Sequence, residues 1–281
     1  MPGCPVGYWV SSNFIKSYKS RHVESYAEVI TGMTIGDNDK YLRLWPEIDF
    51  RKISISATKM DDVNLNVQYW FPYSKGGPRR QWFGNQDYVV NWRERGNFNR
   101  AKTKLSHLYL RDAIVWPFIP GGKFSARYLP YGSLWDVAGS PCFFDNEDDM
   151  YYVLSFLCSS VANYYLSVVN PTVNVQAADI KNLPLLLSEE EQVVKIAKQN
   201  IEISKSDWDA HETSWGYKGN EIVGICGEQY GTISCCVKSF QRRWEDKLQQ
   251  IHNNEEQLNK LFIDAYGLQN EICSNVLLSD I

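Results

Sequence analysis

The sequence predicts an α+β fold, with a mixed, strand-rich unit at residues 1–187 and a helical unit at residues 188–281. Short apolar runs separated by glycine and proline turns fill the first part of the chain, a pattern typical of strands. Apolar residues at helical spacing dominate the last part. A length of 281 residues suits one or two domains, and the change of pattern near residue 187 is the predicted boundary.

Six segments of the first unit are predicted to be strands. In residues 63–69, apolar side chains alternate with amide side chains, which is the period of a half-buried strand. The other segments are short apolar runs bounded by turns rich in glycine, proline and asparagine. They lie at residues 88–92, 113–119, 124–129, 135–139 and 173–176.

Three segments are predicted to be helices. Residues 150–169 should form a buried helix and not a membrane span, because their serine and asparagine side chains would be costly in hydrocarbon. The Asn-Pro pair that follows should end this helix, since proline cannot continue the hydrogen-bond ladder. Ser188 and Glu191 have the spacing of a capping box at the start of a second helix. A near-heptad apolar pattern predicts a long final helix at residues 231–266.

The seven cysteines include no CxxC pair, and no histidine lies at metal-ligand spacing from any of them. We therefore expect neither a disulfide framework nor a metal site, and a reducing cytoplasm is the compartment that fits best. The first five residues form neither a basic leader nor an apolar run, so no signal peptide is expected.

The net charge of −4 conceals an uneven distribution of charged residues. Residues 75–111 contain nine lysines and arginines but two acids, whereas residues 189–281 contain sixteen acids and nine basic residues. A basic segment in a near-neutral chain is typical of proteins that bind a polyanion. Composition alone leaves open the alternative of a solvated loop without a partner.

The sequence shows no recognisable catalytic constellation. It has no glycine-rich dinucleotide or phosphate motif, no HExxH and no GxSxG, and its four histidines form no nucleophile pattern with cysteine or serine. Residues 170–173 (NPTV) match only half of the Asn-Pro-Pro-aromatic motif with which amino-methyltransferases hold a flipped base. We therefore predict no catalytic residue, no metal and no methyl transfer by this chain alone. A dispersed nuclease site of Asp, Glu and Lys stays a minor alternative.

Eight blocks of sequence together carry a family resemblance. They are residues 31–45 (TGMTIGDNDKYLRLW), 71–85 (FPYSKGGPRRQWFGN), 88–92 (YVVNW), 122–127 (GKFSAR), 156–166, 174–184 (NVQAADIKNLP), 207–215 and 255–268. In this order, they resemble the C-terminal region of the adenine-specific DNA methyltransferases of BREX phage-defence systems, the PglX family. Each block alone has little specificity, whereas the ordered set covers nearly the whole chain and is specific.

The resemblance implies a role in recognising DNA. The strand-rich unit is similar to the target-recognition domains of Taq-like and type IIG restriction-modification enzymes, and the helical unit then serves as a connector. The parent would bind S-adenosylmethionine in an N-terminal catalytic domain, so no cofactor is expected in this chain. Double-stranded DNA and that catalytic domain are the expected partners, and no membrane is expected.

A second function class stays open beside DNA recognition. In this alternative the chain is a protein-interaction module, through which other BREX proteins or an acidic phage protein that mimics DNA would engage the enzyme. The two classes overlap, because an acidic mimic would contact the same cations as DNA.

Twelve residues are the candidates for DNA contact. A reader of duplex DNA needs cations for phosphates and Arg, Lys, Asn or Gln side chains for base edges. The loop at residues 75–85 offers both, with glycines that permit close backbone approach and a tryptophan that could stack. Two further glycine-flanked turns, at residues 36–40 and 122–127, complete the set. The candidates are Asn38, Lys40, Lys75, Gly76, Gly77, Arg79, Arg80, Trp82, Asn85, Lys123, Ser125 and Arg127.

Overall fold

The computed structural model describes residues 9–170, 172–229 and 232–281. Three features discussed above lie outside the described residues. They are the first five residues of the chain, the proline of the Asn-Pro helix stop, and the glycine at which the final helix was expected to begin.

Eight helices and eight strands are assigned within the described residues. The helices are α1 (Ser12–Ser17), α2 (Asn38–Tyr41), α3 (Glu147–Cys158), α4 (Ser160–Val169), α5 (Ala177–Lys181), α6 (Glu190–Asp209), α7 (Glu221–Gln229) and α8 (Ile233–Tyr266). The strands are β1 (Glu28–Val29), β2 (Leu42–Leu44), β3 (Trp70–Ser74), β4 (Tyr88–Asn91), β5 (Ala113–Pro117), β6 (Arg127–Leu129), β7 (Leu134–Trp135) and β8 (Gly139–Phe143). Short 3₁₀ turns connect several of them.

The strands form two four-stranded sheets, which confirms the predicted α+β class. The first sheet has the order β1-β8-β5-β6, and its neighbouring strands are antiparallel. The second has the order β2-β4-β3-β7, in which β3 and β7 run parallel and the other pairs antiparallel. Strands β3 and β4 flank the loop at residues 75–85, called the basic loop below, and β6 begins at the predicted contact residue Arg127. The second sheet therefore holds both ends of the basic loop.

Two apolar clusters hold these elements together. One lies between the two sheets and includes Phe71 of β3 and Trp135 of β7. The larger joins the first sheet to the helices and includes Trp116 of β5, Phe156 of α3 and Phe262 of α8. This larger cluster continues across residue 187, where the sequence pattern places a boundary. The strand-rich and helical parts thus share one apolar core.

The apolar stretch predicted as one helix at residues 150–169 is two helices. Ser159 interrupts it with extended backbone (φ −81°, ψ 161°), and its hydroxyl accepts a hydrogen bond from the backbone of Ala162. Helices α3 and α4 meet there at an angle of 68°. No single described helix is long and apolar enough to cross a membrane, although the two helices of this bent pair together have the length and apolar composition of a span. Most of its apolar side chains are buried in the core.

The strand predicted at residues 63–69 is wrong, because this segment is a turn. The side chain of Asn64 accepts a hydrogen bond from the backbone of Asn66, and its carbonyl oxygen accepts one from Val67. The guanidinium of Arg93 then donates to two carbonyl oxygens of the turn. Asparagine favours such local bonds over a strand ladder, so the alternation arose from turn residues. Strand β3 begins directly after this segment.

Three smaller predictions also need correction. Residues 173–176 form no strand, and the strand expected at residues 135–139 is not continuous, because residues 136–138 connect the end of β7 to the start of β8. The capping box at Ser188 is absent, because Glu189 precedes α6 in a left-handed conformation with φ 48°. The other predicted strands are present, and the final helix is present as α8.

One disulfide corrects the expectation from the cysteine spacing. Cys226 of α7 and Cys236 of α8 are bonded, although no framework of disulfides was expected. The two residues are ten apart in sequence, and the packing of α7 on α8 brings them together. A search for CxxC spacing does not detect a pair that tertiary packing creates.

Candidate nucleic-acid interface

Hydrogen bonds to a single carbonyl group give the basic loop its shape. Gly76 follows β3 with φ +88°, a left-handed conformation that favours glycine. Its carbonyl oxygen accepts from the Asn85 amide at 3.0 Å and from the Arg127 guanidinium at 2.9 Å. Gly77 continues with φ +96°, and Asn85 itself has φ +56°. Four of the predicted contact residues therefore act together as the scaffold of the loop.

Alanine at position 76 should distort this scaffold. A Cβ atom there would lie 2.4 Å from the carbonyl oxygen of Ala138, in a backbone conformation that already disfavours side chains. We expect Gly76→Ala to lower the free energy of unfolding by at least about 1–2 kcal/mol. The matched control is Gly121→Ala, since a Cβ atom at that glycine has open space and no left-handed backbone. Urea unfolding of both variants tests the prediction, and equal stabilities would contradict it.

Five of the twelve predicted contact residues are buried: Gly76 and Asn85 of the scaffold, and Trp82, Ser125 and Arg127. Trp82 is 1% exposed, and its indole N–H donates to the Glu255 carboxylate on α8 at 2.8 Å. Arg127 is also 1% exposed, and burial lowers the pKa of its guanidinium to about 10. Ser125 has no exposed surface. These side chains support the loop from below, and any direct contact with a ligand would require the loop to open.

The arginines of the loop face acids of the helical part. Arg79 donates to the carbonyl oxygen of Asp280, and Lys123 forms an ion pair with the carboxylate of the same residue at 2.6 Å. Arg80 forms an ion pair with Asp207 of α6 at 3.3 Å, and its guanidinium lies 5.0 Å from a ring of Trp208. Carboxylates of the chain thus partly neutralise Arg80 and Lys123, whereas Arg79 contacts a backbone carbonyl oxygen.

A cavity of about 500 Å³ separates the loop from helices α6 and α8. Its lining combines aromatic and aliphatic side chains with charged ones, among them Arg79, Trp244 and Glu255. Burial raises the pKa of the Glu255 carboxyl to about 7, although the Trp82 hydrogen bond and nearby Arg79 act in the opposite direction. Asp280 and Ile281 also line this cavity, so a terminal segment of the chain closes one side.

Two of the remaining candidates, Asn38 and Lys75, line a second groove. The Lys75 ammonium donates to the Asn38 side-chain oxygen at 3.1 Å and pairs with buried Asp136 at 2.9 Å. This contact joins the turn at residues 36–40 to the basic loop. The groove has a volume of about 460 Å³, and Arg43 lies on its wall. Acidic residues 39 and 47 also line it. Lys40 is exposed, 5.1 Å from the ring of the adjacent tyrosine.

Two further sets of charged residues lie near the predicted contact residues. The first set consists of the acids that pair with the loop, Asp136, Asp207, Glu255 and Asp280. No local pattern identifies them, because three of the four lie more than 120 residues from their partners. The second set consists of the exposed cations between residues 93 and 104, which the count of basic residues already contained. No group of three His, Cys, Asp or Glu side chains among the described residues could hold a metal ion.

Comparison with known proteins shows two relatives over nearly the whole chain. The chain is 34% identical to the adenine-specific methyltransferase PglX of Lacticaseibacillus casei (strain Zhang), over 97% of its own length and 24% of that protein. It is 31% identical to the adenine-specific methyltransferase BrxX of Escherichia coli O9:H4 (strain HS), over 98% of its own length and 22% of that protein. No family model matches the chain. The chain therefore spans about a quarter of the length of the curated relatives it matches.

Proposed function

This chain is homologous to a segment of the adenine-specific methyltransferases PglX and BrxX, and from that premise we propose that it recognises duplex DNA for such an enzyme. In this proposal it presents the target sequence of a BREX-type phage-defence methyltransferase to a catalytic domain. The S-adenosylmethionine cofactor belongs to that domain, because the present sequence has no glycine-rich cofactor turn. Catalysis is accordingly assigned to the larger parent and not to this chain.

The contact between Lys75 and Asn38 carries the proposal. It brings two segments that are 37 residues apart in sequence to one exposed groove, where a cation and an amide lie side by side. Amides and cations are the side chains that read base edges, while the cations also bind phosphates. The groove is anchored to the second sheet through β2, β3 and β4, and a rigid support is what sequence reading requires. We assign base contacts to Asn38 in this groove and to Lys40, an exposed residue of the same turn.

A binding experiment tests this assignment. Fluorescence anisotropy of the full chain with labelled duplexes of varied sequence should show saturable binding that weakens as salt rises. In Asn38→Ala/Lys40→Ala, we expect the preferred duplex to lose roughly 1–3 kcal/mol of binding free energy per base contact, with relaxed preference at the positions concerned. Both residues are exposed, so the double variant should keep its fold.

Two control variants remove or reverse charge elsewhere. Lys198→Ala removes an exposed cation of α6 that pairs with Asp148 of α3, and Glu189→Lys/Glu190→Lys reverses two acids at the start of that helix. Both should leave sequence preference unchanged, because the helical part serves as a connector. A loss of preference in these controls, with none in the groove variant, would reverse the assigned roles. Absence of duplex binding by the wild-type chain would contradict the proposed function and favour a protein-interaction role.

A further inference from the structure

The basic segment divides into paired and unpaired cations. Lys75 and Arg80 form ion pairs with Asp136 and Asp207. Between them, Arg79 donates to the backbone carbonyl oxygen of Asp280. The cations at residues 93–104 form no ion pair with any residue within the described ranges. Acid content does not compensate for them, since Glu94 is the one acid in residues 93–104 and accepts a hydrogen bond from Asn97. Most of the positive charge without an ion pair therefore lies at residues 93–104.

Two of these five cations have structural tasks. The Arg93 guanidinium lies 3.7 Å from the centre of the Tyr69 ring and donates to the turn at residues 63–69. Arg95 donates to the carbonyl oxygen of Trp92, which begins the 3₁₀ turn at residues 92–97. The other three cations, Arg100, Lys102 and Lys104, have no side-chain hydrogen bond to the residues that the structure describes. Their charged groups remain available to a ligand.

Backbone contacts hold these three residues beside the proposed reading turn. Arg100 and Thr34 exchange two backbone hydrogen bonds, of 2.8 and 3.0 Å. One residue earlier, the Asn99 side chain lies so close to Gly36 that a Cβ atom there would be 2.9 Å from it. The loop that bears the three cations is thus fixed against the start of the turn at residues 36–40. Lys75 lies on the other side of that turn, through its bond to Asn38.

Lys102 has an unusual backbone conformation and lies close to the charge of Arg100. This residue has φ +57°, a left-handed conformation that is uncommon for lysine, and it precedes the 3₁₀ turn at residues 103–108. Partial burial lowers the pKa of its ammonium, and the positive charge of Arg100 lowers it further. The two cations thus lie near enough to each other for their charges to interact. A concentration of like charge without compensation is costly, and a phosphate ligand would relieve it.

We propose that Arg100, Lys102 and Lys104 form a clamp for the DNA phosphate backbone, adjacent to the reading turn. This inference rests on the proposed function and adds a division of roles to it. The clamp contacts phosphates on any sequence, whereas Asn38 and Lys40 contact bases. Arg80 and Lys123, which form ion pairs with acids of the chain, contribute less to phosphate binding than unpaired cations do.

The salt dependence of binding tests the clamp. The variant Arg100→Ala/Lys102→Asn/Lys104→Ala removes three charges, and asparagine tolerates the left-handed conformation at position 102. The matched control, Arg80→Ala/Lys123→Ala/Lys198→Ala, removes three cations that are paired with acids. Anisotropy titrations between about 50 and 200 mM salt should show that the clamp variant loses between two and three units, roughly 0.9 per contact, from the salt slope on every duplex. The control should lose clearly less.

The possible outcomes distinguish a failure of the clamp from a failure of the proposed function. Equal losses of slope in the two triple variants would overturn the clamp, because pairing would then be irrelevant, while DNA binding itself would stand. An unchanged slope in the clamp variant would also overturn it. A wild-type chain that binds no duplex would remove the proposed function and the clamp together. Thermal unfolding of each variant ensures that any loss is measured on folded protein.

Discussion

Replacing Trp82 with alanine should lower the free energy of unfolding by about 3–5 kcal/mol, the cost typical of removing a buried tryptophan. The side chain is 1% exposed and belongs to the larger apolar cluster, so the substitution leaves a cavity. It also removes the indole hydrogen bond to the buried carboxylate of Glu255. Urea denaturation followed by circular dichroism measures the effect.

Two further variants divide this loss into its causes. Trp82→Phe keeps an aromatic ring but removes the N–H donor, so it should lose less than alanine while still leaving a carboxylate oxygen short of a partner. Trp9→Ala is the control, because that indole is 67% exposed and should contribute little to stability. A loss of less than about 1 kcal/mol in Trp82→Ala would contradict the buried placement. The tryptophan would then be available to stack on a base, as the sequence suggested.

Residue composition and the spacing of apolar residues were enough to predict the fold class, because both report on local chemistry. Strand β4 and helix α8 lie close to their predicted positions, since each has a clear apolar period. Helix α8 is also capped at both ends. The Thr232 hydroxyl accepts a hydrogen bond from the backbone of Cys235, and Gly267 ends the helix in a left-handed conformation with φ 66°. Local side-chain bonds that compete with regular structure explain the errors. The turn at Asn64 and the helix break at Ser159 are two examples, and the spacing of apolar residues predicts neither of them.

The candidate site was predictable as a basic segment but not as an arrangement. Local composition identified the loop at residues 75–85, and the structure shows that its glycines are needed for left-handed backbone. Pairing is a tertiary property, however. Lys123 and Asp280 are 157 residues apart in sequence, so nothing local separates a paired cation from an unpaired one. The same limit applies to Trp82, which has the composition of a stacking residue and the environment of a core residue.

The buried carboxyl of Glu255 should make the stability of the protein depend on pH. It is 7% exposed, and it accepts hydrogen bonds from the Trp82 indole and the Gln81 amide. Burial raises its pKa from the ordinary value of 4.5 to about 7. The cause is that the charged form loses its hydration in the core, and two neutral donors and Arg79 only partly replace it.

The sign of the effect follows from the raised pKa. Between pH 4.5 and 7 the folded chain holds a proton on Glu255 that the unfolded chain has released. Folding is therefore favoured at low pH, and this contribution is lost as the pH rises through that window. The shift corresponds to about 3 kcal/mol of unfolding free energy, as an order of magnitude. Above pH 7 the loss should be complete and the contribution constant.

Glu255→Gln isolates this contribution, since glutamine keeps the volume and the acceptor oxygen but carries no charge. We expect the variant to gain stability relative to wild type as the pH rises from 5 to 8, by up to about 3 kcal/mol. Urea unfolding at a series of pH values measures the difference, which cancels the titration of other groups. Glu245→Gln, at an exposed position of the same helix, should show a difference that stays flat across that range. A difference for Glu255→Gln that is flat, or that falls as the pH rises, would show that the carboxylate is ionised in the folded core.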